Sequence, residues 1–186
     1  ADVVVTNPPF SLFREYVAQL MEYEKKFVIV GHQNAITYKE IFPYIKNNKA
    51  SVGYHFGDMA FRVPDDTEPR KTRFWVDEFG QKWRSLGNAM WLTNLEVSND
   101  SGKKLVLTHS FKEENYPKYD NFDAVHVYRV SEIPMDYYGI MGVPLTYLKY
   151  HNDKMFEIVG EANHGSDNEY DLFKPQINGK ETFKRI

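Results

Sequence analysis

The tightest constraint on this chain is local: a β-branched run, Val3-Val4-Val5-Thr6, meets consecutive prolines at Pro8 and Pro9, and an amphipathic pattern follows at once. A continuous short apolar run is the pattern of a strand buried on both faces of a parallel sheet. Proline fixes φ, removes an amide donor and pushes the preceding residue to extended backbone, so the strand ends there and Asn7 and Pro8 are held extended. From Ser11, an expected N-cap, Leu12, Phe13, Tyr16, Val17, Leu20 and Met21 recur at helical spacing to about Tyr23. Phe27-Val28-Ile29-Val30 reads as a second buried strand stopped by Gly31. Thr37-Tyr38-Lys39-Glu40 has the form of a capping box opening a helix to about Asn47. This strand–helix–strand–helix order predicts an α/β fold with a parallel sheet, right-handed crossovers, and ligand-binding loops at the carboxyl ends of the strands.

Past Ala50 the character changes. Ser51 to Phe56, Arg73 to Val76, Asn88 to Leu95, Lys104 to Thr108, Ala124 to Val130 and Phe156 to Gly160 are short, aromatic and strand-favouring. A short helix is expected from Pro144 to Tyr150, and Asn178-Gly179 marks a two-residue hairpin between Gln176 and Glu181. The expected organisation is an α/β part over 1–95 followed by a β-rich, α+β part over 96–186. There is no repeat, low-complexity tract or linker to sharpen that boundary.

Composition narrows the classes. The 186 residues suffice for a core, and 42% hydrophobic with 16% aromatic residues is unlike an unfolded chain. No apolar run has the length to cross a bilayer, and no leader pattern opens the chain. The absence of cysteine excludes disulfides, thiolate metal sites and cysteine nucleophiles, and suits a reducing cytoplasm. The six histidines are dispersed without zinc-site spacing, so no metal is expected. The polar stretch from Asn163 to Glu169 departs from a calcium loop and reads as a surface loop. No nucleophile-elbow pattern supports hydrolase chemistry.

A net charge of -3 means that any grip on nucleic acid comes from a local patch. Arg62, Arg70, Lys71, Arg73, Lys82 and Arg84, interleaved with Phe74, Trp75, Phe79 and Trp83, supply one that suits phosphates and bases. The alternative is a solvated hairpin whose aromatics pack on the core. Asp65, Asp66, Glu68, Asp77 and Glu78 dilute the patch.

The chemistry concentrates in Asn7-Pro8-Pro9-Phe10, between a buried strand and a helix. With two proline nitrogens lacking donors, the loop is rich in acceptors. An exocyclic amine such as adenine N6 has two N–H donors and a lone pair delocalised into the ring, which makes it a poor nucleophile. If the Asn7 side-chain oxygen and the Pro8 carbonyl each accept one N–H, the amine is fixed and electron density returns to nitrogen, facing an electrophilic methyl. Phe10 would stack on the base, offsetting part of the stacking lost when a nucleotide leaves the duplex. An Asn/Asp/Ser-Pro-Pro-aromatic tetrad arises by chance about once in a hundred or more chains of this length. The competing reading is a rigid strand-to-helix turn. His32, Gln33 and Asn34 follow the second strand on the same edge and are candidates to line a base or cofactor pocket, with capping and loop bonding as the alternative.

Asp2-Val3-Val4-Val5-Thr6-Asn7-Pro8-Pro9-Phe10-Ser11 resembles the fourth conserved motif of the amino-methyltransferases, which act on adenine N6, cytosine N4 or a protein glutamine amide. The tetrad alone leaves RNA adenine or a protein glutamine as alternative acceptors, and a non-catalytic nucleic-acid-binding remnant as the alternative class. Asn34 to Phe42, Trp91 to Leu95, Gly142 to Leu148, Phe156 to Gly160, Ile177 to Lys180 and Lys184 to Ile186 extend the resemblance, over nearly the whole chain, to the EcoRI-type adenine-specific methylases. The resemblance implies the remainder of a Rossmann-like sheet, S-adenosylmethionine as cofactor, duplex DNA as partner, and methylation of adenine N6 in a bacterial or phage modification system. It implies catalytic roles for Asn7, Pro8, Pro9 and Phe10. It also shows what is missing: no Gly-rich cofactor loop and no acidic residue ending a second strand precede the motif. Ala1 enters a strand with no start methionine, so the chain is expected to begin inside a larger protein and, alone, to bind the cofactor poorly and be inactive.

Overall fold

The computed structural model describes residues 1–56, 58–96, 105–151, 153–162 and 175–182. Lys104, the stretch from Asn163 to Glu169 and the Lys184-Arg185-Ile186 motif lie outside the described residues.

The alternation of elements holds at the start. Strand β1 (Val3–Thr6) leads through a 3-10 turn (Phe10–Leu12) into α1 (Phe13–Glu22), then β2 (Lys26–His32), a second 3-10 turn (Gln33–Thr37), α2 (Phe42–Lys46) and β3 (Ser51–Phe56). Strands β4 (Ala60–Arg62), β5 (Phe74–Val76) and β6 (Lys82–Ser85) come next, followed by β7 (Ala89–Thr93). The main sheet has the order β1-β2-β7-β3. β1 and β2 are parallel, as expected, whereas β7 runs antiparallel to both β2 and β3 and lies between them. The sheet is therefore mixed. β1, β2 and β3 all point the same way, so their carboxyl ends, at Asn7, His32 and Phe56, share one edge.

One face of this sheet makes the first core. Phe27, Ile29, Met90, Leu92 and Val52 are buried against Phe13, Val17 and Leu20 of α1 and against Ile36, Ile41, Phe42 and Ile45. The spacing of Phe13, Val17 and Leu20 puts all three on one helix face. By register, Val3, Val5, Val28, Val30 and Trp91 share the other face, which is more open, with Val5 70% exposed. Leu148 and Ile158 from the later part also join the first core. A second core gathers Tyr116, Val125, Val127, Ile133, Val143 and Tyr147.

The Thr93-Asn94 pair has a structural task. Thr93 Oγ1 donates to the Phe27 carbonyl at 2.7 Å, Asn94 Oδ1 accepts from the Phe27 amide at 2.8 Å, and Asn94 Nδ2 donates to the Lys25 carbonyl at 2.8 Å. A side-chain amide thus continues the ladder at the start of β2. Asn94→Ala removes both bonds and strips the part-buried Phe27 amide of its partner, while the exposed Lys25 carbonyl turns to water, so it is expected to lower stability by about 1–2 kcal/mol in urea titrations; an unchanged midpoint would contradict this role.

The later elements are shorter than their composition suggests. Only Val125–His126 (β8) of the 124–130 segment forms a strand, paired with Met141–Gly142 (β9), and the expected helix near Pro144 is a 3-10 turn, Leu145–Lys149. Residues 105–108 and 156–160 form no strand. The hairpin Gln176–Ile177 (β10) to Lys180–Glu181 (β11) is present, with Asn178 at φ 52° and Gly179 at φ 71°, the left-handed pair of a type I′ turn.

Candidate active site

The loop after β1 divides its residues by role. Pro8 is buried and anchors the turn, while Asn7 is exposed and Phe10 is 51% exposed. Pro9, at φ -56° and ψ 129°, turns its carbonyl to accept from the Leu12 amide at 3.0 Å, closing the 3-10 turn. Neither the Asn7 side chain nor the Pro8 carbonyl bonds to any described residue. Two acceptors on a stiff loop are thus left for an external donor pair. Ser11 lies inside the 3-10 turn and caps nothing; the residue before α1 is Leu12, without a side-chain cap. That expectation is corrected: the turn at Phe10–Leu12 supplies its own closing bond, so no hydroxyl cap is needed.

The loop after β2 stands beside it. The His32 ring meets Phe10 edge-on, with centroids 6.2 Å apart and planes at 76°. His32 Nδ1 accepts from the Asn34 amide at 3.1 Å, which leaves the neutral imidazole with its proton on Nε2. Gln33 is a tether: its amide donates to the Asn88 carbonyl at 2.7 Å and its Nε2 to the Ala89 carbonyl at 3.2 Å. Asn34 is exposed, and its carbonyl accepts from Thr37 Oγ1. Of the three residues expected here, His32 reaches the first loop. Gln33 holds β7, and Asn34 serves the turn. Arg14, which no sequence pattern singles out, ties α1 to this second loop through Glu40 at 3.8 Å and the face of Tyr38 at 5.6 Å.

Neither strand-to-helix turn has the glycine-rich run of amides that would cradle a nucleotide-like cofactor. One turn is built on two prolines, and the other is folded onto its own histidine. These two turns therefore do not fit the main binding loop of a nucleotide-like cofactor.

The candidate nucleic-acid patch is an arm inserted between β3 and β7. β4, β6 and β5 form an antiparallel sheet in that order. Because Ala89 of β7 pairs with His32 and Met90 with Phe56, the arm leaves the main sheet at the same edge as Asn7. Arg62, Arg70 and Lys71 are exposed. Arg73 and Lys82 are engaged internally: Arg73 donates to the Leu86 carbonyl at 3.3 Å, and Lys82 donates to the Asp65 carbonyl and, at 2.9 Å, to the Thr67 carbonyl. Arg84 is half-buried between Phe61 and Phe74 in the cross-strand register.

Asp77 organises the arm's tip. Its Oδ1 accepts from the Phe79 amide at 3.0 Å and the Gln81 amide at 2.9 Å, and its Oδ2 from Trp83 Nε1 at 2.8 Å. The Trp83 bond is the largest influence; desolvation opposes it, and the amide bonds from Gln81 and Phe79 with the field of Arg62 add to it, so the carboxyl is held below its ordinary value of 3.8. A lowered carboxyl value adds stability that is complete above pH 3.8 and is lost as pH falls through the folded value. The Trp83 indole proton resonance should therefore titrate with a midpoint below pH 3.8. In Asp77→Asn that titration should vanish; a titration that persists would assign it to another group.

A separate cavity of about 480 Å³ lies in the later part, lined by Tyr119, Phe122, Tyr137, Tyr147 and Phe156, and no residue of the two loops or of the arm borders it. Among the described residues, no group of three or more His, Asp or Glu side chains is placed to hold a metal. Nor is any helix among them long and apolar enough to cross a membrane.

Against known proteins, a family profile described as "Adenine-specific methyltransferase EcoRI" matches residues 1–185. The Type II methyltransferase M.EcoRI of Escherichia coli is 47% identical over 190 aligned residues, covering 100% of this chain and 56% of the relative. M.MgeORF184P of Mycoplasma genitalium is 39% identical over 86% of this chain and 51% of its own length. M.MpnI of Mycoplasma pneumoniae is 38% identical over the same shares, 86% and 51%. The chain thus spans about half the length of these relatives. No solved structure gives a significant match. With the family profile covering nearly every residue and the acceptor loop intact, the chain belongs to the EcoRI-type adenine-specific methyltransferase family.

Proposed function

We infer that this chain carries the amine-binding part of an enzyme that transfers a methyl group from S-adenosylmethionine to N6 of an adenine in duplex DNA. The observation that carries the reading is a pair of acceptors with no partner among the described residues: the exposed Asn7 side chain, and the Pro8 carbonyl beside it, while Pro9's carbonyl is spent on Leu12. The name of the family and those of its relatives agree with this chemistry.

Each residue has a stated task. The Asn7 side-chain oxygen and the Pro8 carbonyl take one N–H each, so the amine cannot rotate and its lone pair points out of the base plane. Asn7 is neutral and does not act as a base. Phe10 offers an exposed ring to the face of an extrahelical base, and His32, locked by its bond to Asn34, props that ring from the edge. The bound cofactor supplies an electrophilic methyl; the cradle for it is no part of the described residues. The main sheet of a Rossmann-like fold, residues 1–95, presents the loop, and residues 96–186 serve the target side together with the arm cations Arg62, Arg70 and Lys71.

The test is acceptor identity. The whole protein, given methyl-labelled S-adenosylmethionine with duplex DNA, RNA or protein in parallel, should place label in N6-methyladenine of the duplex, read by mass spectrometry of the hydrolysate. Label in RNA adenine or in a glutamine amide would reassign the acceptor.

A further inference from the structure

Resting on the reading of duplex DNA as partner, we propose that the β5–β6 hairpin is a wedge: Phe79 enters the base stack of the duplex while Arg62, Arg70 and Lys71 hold phosphates. Phe79 is 87% exposed, at the tip of a turn that three hydrogen bonds to one carboxylate keep in a single shape. Gly80, at φ 77°, completes that turn, and its amide donates to the Asp77 carbonyl at 3.0 Å. Behind the tip, Trp75 stacks on Trp83 with planes 9° apart and centroids 6.5 Å apart, so the stem is stiff as well. A rigid hairpin that displays a lone aromatic ring to water has made no provision to bury it within the chain.

Position beside the Asn7 edge selects the occupant, and the arm's charges are mixed, with exposed Asp65, Asp66, Glu68 and Glu78 standing among the cations. Both oxygens of Asp77 are turned inward to donors, so this acid presents no free carboxylate at the tip. The exposed cations Arg62, Arg70 and Lys71 belong to the same arm, and Arg62 pairs across the sheet with Trp83. Glu78, beside Phe79, is repelled by phosphate and can accept from base amino groups, which directs the tip to bases and leaves the backbone to the cations. An apolar ring inserted at a base step unstacks it and bends the duplex. The arm leaves the main sheet at the edge that carries Asn7, so the step it opens lies on the duplex from which the adenine is taken.

The experiment uses the whole protein and sheared duplex DNA of mixed sequence as probe. Phe79→Trp should gain a tryptophan component that DNA quenches and shields from acrylamide, beyond the signal of the parent protein's own tryptophans, Trp75, Trp83 and Trp91 among them. Phe79→Ala should bind about tenfold more weakly, the loss of one stacking contact, with an unchanged thermal midpoint because the ring is exposed. Arg62→Ala should instead lower the salt dependence of binding by about one ion and leave the shielding intact. If the tryptophan introduced by Phe79→Trp stays open to acrylamide in the complex, or if Phe79→Ala keeps the parental affinity, the wedge is overturned and Phe79 becomes a contact for some other surface. Shielding without any methylated base keeps the wedge and removes the proposed chemistry. Methylation without shielding does the reverse, and no binding to DNA removes both.

Discussion

Replacing Asn7 with Ala in the whole protein should lower the methyl-transfer rate at least about 100-fold, with kcat and kcat/KM falling together and the affinity for S-adenosylmethionine unchanged. The size follows from what the side chain does. It is exposed and bonds to no described residue, so its removal breaks no hydrogen bond among them. What disappears is one of two acceptors that fix the amine, and a misplaced nucleophile loses most of its reactivity. Single-turnover kinetics with saturating DNA isolates this step. A kcat within a few-fold of the parent enzyme would show that Asn7 does not position the amine.

Phe13→Ala should cost about 3–5 kcal/mol, measured by urea denaturation. That is a large share of the roughly 5–15 kcal/mol available to a domain, so much of the variant should be unfolded at about 37 °C. Phe13 is 1% exposed and opens α1, three residues after the ring of Phe10. A Cβ built on Gly31 of β2 would lie 2.5 Å from the end of the Phe13 ring, so ring and strand touch where only glycine leaves room. The same contact fixes the Asn7 loop to the strand that ends at His32. Phe13→Leu, which keeps the apolar volume in part, should fold and still lose rate; full activity in that variant would separate the core from the loop.

The first third of the fold is legible in the sequence because its patterns are local. The period of Phe13, Val17 and Leu20 follows from burial of one helix face, and the Val3–Val5 and Phe27–Val30 runs do form strands, but neither is buried on both faces: β1 lies at the sheet edge with Val3 and Val5 exposed, and β2 buries only alternate residues. The place of β7 is not legible, since a short strand-favouring segment states neither its neighbours nor its direction; the inserted arm of residues 58–88 returns the chain at the carboxyl edge and so sets β7 antiparallel. The capping box expected at Thr37 is not formed. Thr37 Oγ1 donates back to the Asn34 carbonyl, Tyr38 is extended, and Pro43 fits only the first turn of a helix, so α2 starts at Phe42.

At the site, the sequence points to Asn7, Pro8, Pro9 and Phe10 but does not separate the two proline carbonyls; only the bond to Leu12 does that. The basic patch is legible as composition, yet which cations are already spent on backbone carbonyls, as Arg73 and Lys82 are, depends on turns that residue types do not reveal. Asp77 reads in the sequence as a diluting charge, whereas its three inward bonds make it the organiser of the tip. The Asp77–Gly80 spacing of a tight turn is the available signal. Of the strands expected between Lys104 and Gly160, only Val125–His126 forms among the described residues; side-chain packing there runs instead between loop residues, as Phe111 on Tyr116 and Tyr137 with centroids 5.2 and 4.4 Å apart.

The most direct test of the amine-holding loop is a crystal structure of the whole protein with duplex DNA and an unreactive analogue of S-adenosylmethionine. The adenine N6 should lie about 3 Å from both the Asn7 side-chain oxygen and the Pro8 carbonyl, with Phe10 stacked on the base. An extrahelical adenine whose amine is bonded elsewhere, with Asn7 still facing solvent, would contradict the assignment of this loop.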